Sequence, residues 1–155
     1  MANETNPIPG KYGMLFRLED SGTTPLVWRP LACFTSHEFN PSRTINEEPV
    51  TKCAPDAVSK SSGALNVQIT GEATVFDTDG SSAKDSWEEL YEIMKTGEKE
   101  WFLYDTNTDN PSSYKQYFEA FITELPLTQE VENNSTFSLT LDVNGVPETT
   151  EPTFV

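Results

Sequence analysis

The chain has 155 residues, 35% of them hydrophobic and 23% charged, and its 25 acidic residues against 10 basic ones give a net charge of −15. That length suits one domain with a real core, and 11% aromatic residues argue against a disordered chain. The acidic excess disfavours free binding to nucleic acid and to an anionic membrane surface, since both need Lys and Arg. It is also uneven: residues 1–60 hold seven acidic and six basic residues, whereas after Lys115 seven acidic residues stand with no basic one.

Residues 1–10, with Pro7 and Pro9, read as a flexible arm. Nothing there resembles a signal peptide and no window approaches a membrane span, so the chain is expected to be made in a cytoplasm and to stay there until released. Residues 12–18 form a short strand centred on Met14, Leu15 and Phe16, and 19–25 a turn. Strand resumes over 26–28 and 31–34 around Pro30, which implies an edge or a bend. Residues 35–50 are polar on both faces, with Phe39, Ile45 and Val50 as the main apolar members. Such a run reads as a long strand that neighbours must order. Residues 51–63 read as a long flexible loop.

The chain is organised around residues 64–105, read as strand, turn, helix, turn, strand. Leu65, Val67, Ile69, Ala73 and Val75 alternate with Asn66, Gln68, Thr70, Glu72 and Thr74, the period of a half-buried strand. Asp77-Thr78-Asp79-Gly80 breaks it. Trp87, Leu90, Tyr91 and Met94 then fall at i, i+3, i+4 and i+7, which predicts a helix over about 83–96 with these four as its packing face. Ser82 with Asp85, and Ser86 with Glu89, offer capping boxes; Gly97 supplies the stop. Trp101, Phe102, Leu103 and Tyr104 resume as strand. Residues 106–113 are a polar loop, 114–125 a strong strand, 126–134 an acidic connection and 135–143 the clearest alternation in the chain. Residues 146–155 form a second flexible arm. The whole reads as one β-rich domain, residues 11–145, between two arms.

No catalytic set is legible, and no enzyme is expected. The only histidine, His37, lies in a polar strand and reads as a surface or interface residue. Glu47 and Glu48 are adjacent, so on a strand they point apart. There is no P-loop and no GxGxxG. Asp105-x-Asn107-x-Asp109 resembles the start of a calcium loop, but Asn110 stands where Gly is wanted and Gln116 where Glu is wanted. Cys33 and Cys53 lack metal-site spacing; they pair only if they lie on neighbouring strands, and ordinary thiols are the expectation. Trp28, Trp87 and Trp101 suggest a sugar platform, but Trp87 and Trp101 read better as core. No metal and no cofactor are expected.

The order of elements is more specific than any motif. A short strand leads to a polar strand ending in Glu47-Glu48-Pro49-Val50-Thr51-Lys52. The strand of residues 65–76, the Trp87 helix and its Gly97-Glu98-Lys99 exit follow, and then two long strands around Phe118-Glu119-Ala120-Phe121-Ile122 and Phe137-Ser138-Leu139-Thr140-Leu141, closing on Asp142-Val143-Asn144-Gly145. This set resembles the major tail (tail tube) protein of long-tailed bacteriophages. The resemblance implies a mainly β chain: a β-sandwich or barrel of two packed antiparallel sheets with one flanking helix. It implies a virion tail protein, assembled in the host cytoplasm. Its subunits form hexameric rings that stack into a conduit for DNA, with the tape-measure, tail terminator and distal tail proteins as partners and no membrane. Strands polar on both faces suit a wall between a lumen and a packing layer, and an acidic lining lets DNA slide. The lumen-facing candidates are Glu38, Glu47, Glu72 and Glu119; the alternative is that they only solubilise an outer wall. The arms and residues 51–63 are the candidates for ring stacking. The competing reading is a monomeric β-sandwich that binds carbohydrate or calcium.

Overall fold

The computed structural model describes residues 7–20, 22, 25–31, 33–48, 58–75 and 87–154. The turn at 77–80, the capping boxes at Ser82–Asp85 and Ser86–Glu89, residues 51–57 with Cys53, and Phe76 lie outside or partly outside them. Among the described residues, a 3₁₀ turn at Gly10–Tyr12 leads into eight strands: β1 (Met14–Asp20), β2 (Val27–Pro30), β3 (Cys33–Glu47), β4 (Lys60–Thr74), β5 (Glu100–Asp105), β6 (Lys115–Glu124), β7 (Leu127–Thr128) and β8 (Thr136–Glu148). A helix, α1 (Trp87–Thr96), precedes β5. The chain is mainly β, as its alternations predict.

Every pairing is antiparallel, and the strands form one hydrogen-bonded path, β2-β1-β5-β6-β8-β4-β3, with β7 added to β8. The two expected layers are therefore parts of one sheet. β3 is not a ladder neighbour of β5 or β6, yet Phe39 packs its ring 5.1 Å from Tyr104 and 6.4 Å from Phe118. The sheet must curl for these rings to meet. Inside the curl lie Leu15, Val67, Ile69, Phe102, Phe118, Phe137, Leu139 and Leu141, each at most 2% exposed. Burying such side chains stabilises the fold by roughly 1.5–3 kcal/mol each.

Tight packing also fixes a small residue. A Cβ at Gly71 would meet Phe34 Cε1 at 2.7 Å, so a larger residue there would displace the ring.

α1 closes the core. Leu90 is fully buried, Trp87, Ile93 and Met94 are partly buried against the cluster, and the Trp87 indole donates to the Leu125 carbonyl at 3.0 Å. Tyr91 stands at the rim instead: it is 41% exposed, stacks 4.9 Å from the Trp87 ring and carries Lys95 over its face at 4.8 Å. The helix ends at Gly97, whose φ of 71° is the left-handed conformation a Gly stop supplies.

Two strands outrun their sequence boundaries. β4 begins at Lys60, within the predicted loop, because β3 supplies backbone partners to this polar stretch: Ile45 opposes Ser62 and Glu47 opposes Lys60. β8 ends at Glu148, where it opposes Tyr117. β8 reaches along β4 only to Gln68. The rest of β4, with β3 beyond Asn40, is a two-stranded ribbon whose β3 side chains are exposed from Asn40 to Glu47.

Candidate functional site

Opposed residues in an antiparallel ladder share a face, so the register assigns each candidate to a side of the sheet. Ser36 opposes Glu72, and Glu38 opposes Thr70. Across the next ladder Glu72 opposes Ser138 and Gln68 opposes Asp142; then Asp142 opposes Phe121 and Asn144 opposes Glu119. Glu38, Glu72, Asp142 and Glu119 thus share one face, turned away from the core. Around them stand Ser36, Asn40, Gln68, Thr70, Ser138 and Thr140. None of these strand positions carries a cation. Glu38, Glu72 and Asp142 are exposed; Glu119 is half-buried, with Lys99 Nζ 3.3 Å from its carboxylate.

Glu47 lies elsewhere. The extra residue between Arg43 and Ile45 is on the β4 side of the ladder, so β3 keeps its alternation and Glu47 falls on the side of His37 and Phe39. It sits at the end of the ribbon, 3.6 Å from Lys60 Nζ in an exposed pair. Asp142 and Phe121 were not among the sequence candidates. Their alternation was visible, but only the β4–β8–β6 register brings them beside Glu72.

The same face changes character across β2-β1-β5-β6. Trp28 opposes Leu18, Phe16 opposes Leu103, and Leu103 opposes Tyr117, so these side chains share the Glu119 side of the sheet. Trp101 belongs there too, opposite Glu119, and not in the core where its sequence context places it; on a period-two strand Phe102 and Tyr104 take the inward positions. The chain's own C-terminal segment covers this strip. Trp28 Nε1 donates to Glu151 Oε2 at 3.4 Å, the Trp28 ring lies 5.5 Å from Tyr117, and Phe154 meets Trp101 edge-on at 6.1 Å. Burial, then the Glu151 and Asp105 carboxylates, push the Tyr117 hydroxyl above its usual range.

His37 is structural in its contacts. The Gly13 carbonyl, 3.0 Å from Nε2, can only accept, so Nε2 carries the proton and Nδ1 accepts from the Tyr104 hydroxyl at 2.9 Å. This pair ties β3 to β5 and to the segment before β1, beside an open cleft of about 950 Å³. Burial raises the Tyr104 hydroxyl. The calcium-like loop spends its oxygens on itself: Asp105 Oδ1 accepts from the Asn107 amide at 3.0 Å and the Ser113 hydroxyl at 2.6 Å, and Asn107 Oδ1 from the Asp109 amide at 3.1 Å. No metal-ligating cluster occurs among the described residues, and none of their helices is long and apolar enough to cross a membrane.

No protein-family model matches the sequence, and no curated protein matches it. Solved structures do. A chain from the tail of an empty gene transfer agent particle with C6 symmetry superposes with a TM-score of 0.68 at 13% identity, covering 94% of this chain and 100% of that one. A chain of the virion of a native gene transfer agent particle gives 0.66 at 13% identity, with coverages of 94% and 100%. A chain of the SPP1 tail tube gives 0.63 at 15% identity, covering 92% of this chain and 82% of that one. This chain has the tail-tube fold. Among the described residues, Glu38, Glu72 and Asp142 on the β3-β4-β8-β6 face and the β3 side chains from Asn40 to Glu47 are exposed.

Proposed function

We propose that the chain is a structural subunit that assembles with its own copies into stacked rings, six subunits to a ring, forming a tail tube through which DNA leaves the particle. The carrying observation is the tail-tube fold over 94% of the chain together with a polar face over β3, β4 and β8 whose charged strand positions, Glu38, Glu72 and Asp142 among them, are acidic. The six-fold ring rests on the C6 symmetry of one structural neighbour. In this reading the face bearing Glu38, Glu72, Glu119 and Asp142 lines the bore. The ribbon end, with Glu47, and the chain termini make contacts between rings, and the outer edges of β2 and β3, at the two ends of the described strand path, are where neighbouring subunits add strands.

At physiological salt the Debye length is about 8 Å. Only carboxylates facing the bore therefore act on passing DNA, and the charge of the outer wall does not. Glu38, Glu72 and Asp142 carry the lining's charge and Lys99 is paired with Glu119, so phosphates find few partners whose binding would release counterions, and DNA moves past without being held. Tape-measure, terminator and distal tail proteins are the expected partners, in a virion tail assembled in the host cytoplasm. Nothing in this role calls for catalysis.

Cysteine labelling tests the lining. Gln68→Cys is expected to react with a small maleimide before and after assembly, and with a protein-sized maleimide only before it. Equal labelling of the assembled particle by the protein-sized reagent would place this face on the outside and contradict the assignment.

A further inference from the structure

The C-terminal segment after β8 lies on an aromatic strip that it holds by side chains alone. Among the described residues, no backbone–backbone hydrogen bond joins residues 149–154 to the body of the chain. Its contacts among the described residues include the Trp28 indole on the Glu151 carboxylate and the Phe154 ring on Trp101. Both are at the surface: the hydrogen bond is exposed, and Phe154 is 41% exposed. The strip beneath belongs to the ladder. Trp28, Leu18, Leu103, Tyr117 and Trp101 share a face by register, and Leu103 and Tyr117 are buried. Strip and segment are therefore separate parts, the strip within the ladder and the segment following β8 from where Glu148 opposes Tyr117.

We infer that the strip is a docking face for this segment from a second copy of the chain, so that adjacent subunits exchange their C-terminal segments on assembly. This rests on the self-assembly reading above. Two magnitudes support it. The six residues 149–154 reach about 20 Å when extended, at ~3.3–3.6 Å per residue, far enough to leave the home strip for that of an abutting neighbour. An exchanged segment makes the contacts it left behind, so the choice between home and neighbour turns on proximity, and a tethered segment beside a neighbouring strip is present at an effective concentration of about millimolar. Exchange of an identical element is a low-cost way to join copies. The occupant's chemistry is written in the segment: an acidic side chain for the Trp28 indole and an aromatic ring for Trp101.

Cross-linking of full-length chains decides it. One chain carries Trp101→Cys and the other Phe154→Cys; they are mixed, concentrated and oxidised, and the linked peptides are identified by mass spectrometry. Each variant alone controls for links through Cys33 and Cys53. The expected result is a covalent dimer joined through the two introduced cysteines, at least tenfold more abundant in the mixture than in either variant alone. Because Trp101→Cys removes a large ring, the pair Trp28→Cys and Glu151→Cys repeats the test at the other contact. Light scattering on the same mixtures reports assembly. Assembly with no interchain link at either pair overturns the exchange and leaves the tube reading standing. Neither assembly nor a link counts against both.

Discussion

Tyr104 shows how one side chain ties the curl together and what that implies for pH. Its hydroxyl donates to His37 Nδ1 at 2.9 Å, and His37 Nε2 donates to the Gly13 carbonyl at 3.0 Å, so two bonds join β5, β3 and the lead-in to β1. Burial raises the Tyr104 hydroxyl above its reference value of 10.0, and Tyr117 moves the same way. The neutral phenol is thus favoured in the folded state. Its contribution is whole below pH 10.0 and is lost as pH rises through the higher folded value, because the unfolded chain ionises first. Denaturant unfolding should therefore show falling stability above pH 10. Tyr104→Phe should flatten that alkaline limb while costing about 0.5–1.5 kcal/mol at pH 7 for the lost hydrogen bond. An unchanged alkaline slope would mean that Tyr104 ionises freely in the folded chain.

At the scale of elements, α1 is the cap on the open side of the core. Its amphipathic stripe was readable because Trp87, Leu90 and Met94 recur at helical spacing, and it needed no tertiary information. Tyr91 fell outside the core because the Trp87 ring occupies the ground between them, which a helical wheel does not show. Leu90→Ala would leave a cavity in the core cluster, in which Leu90 is fully buried, and should cost about 2–5 kcal/mol. Thermal or denaturant unfolding checks this, and a loss under 1 kcal/mol would mean that the helix adds little to the core. The strands divide in the same way. β6 and the first half of β8 were legible from period-two alternation. The start of β4 at Lys60 and the end of β8 at Glu148 were not, because polar residues there are held by their ladder partners and not by a pattern of their own. Side assignment needed register as well: Glu38 and Glu72 share a face through Ser36 and Thr70, whereas Glu47 departs from it by one step of parity on β3.

At the scale of the whole molecule, one antiparallel sheet carries three kinds of surface. The inner side of the curl is the hydrophobic core. The opposite side is aromatic and strapped over β2-β1-β5-β6, and acidic and polar over β3-β4-β8. A ribbon whose β3 side chains are exposed from Asn40 to Glu47 extends from the β3 end; a two-stranded ribbon alone is marginally stable in water, and neighbouring copies would give its edges partners. The sequence order pointed to this fold, but the division of the outer side depends on a ladder that pairs residues as distant as Gln68 and Asp142. The central claim is that these surfaces exist to be assembled. Size-exclusion chromatography with light scattering across a concentration series, followed by negative-stain imaging of the large fraction, tests it most directly. The account predicts mass that grows with concentration and hollow, ring-stacked particles in the images. A chain that stays monomeric at every concentration, including when seeded with preformed tail-tip complexes, would contradict it.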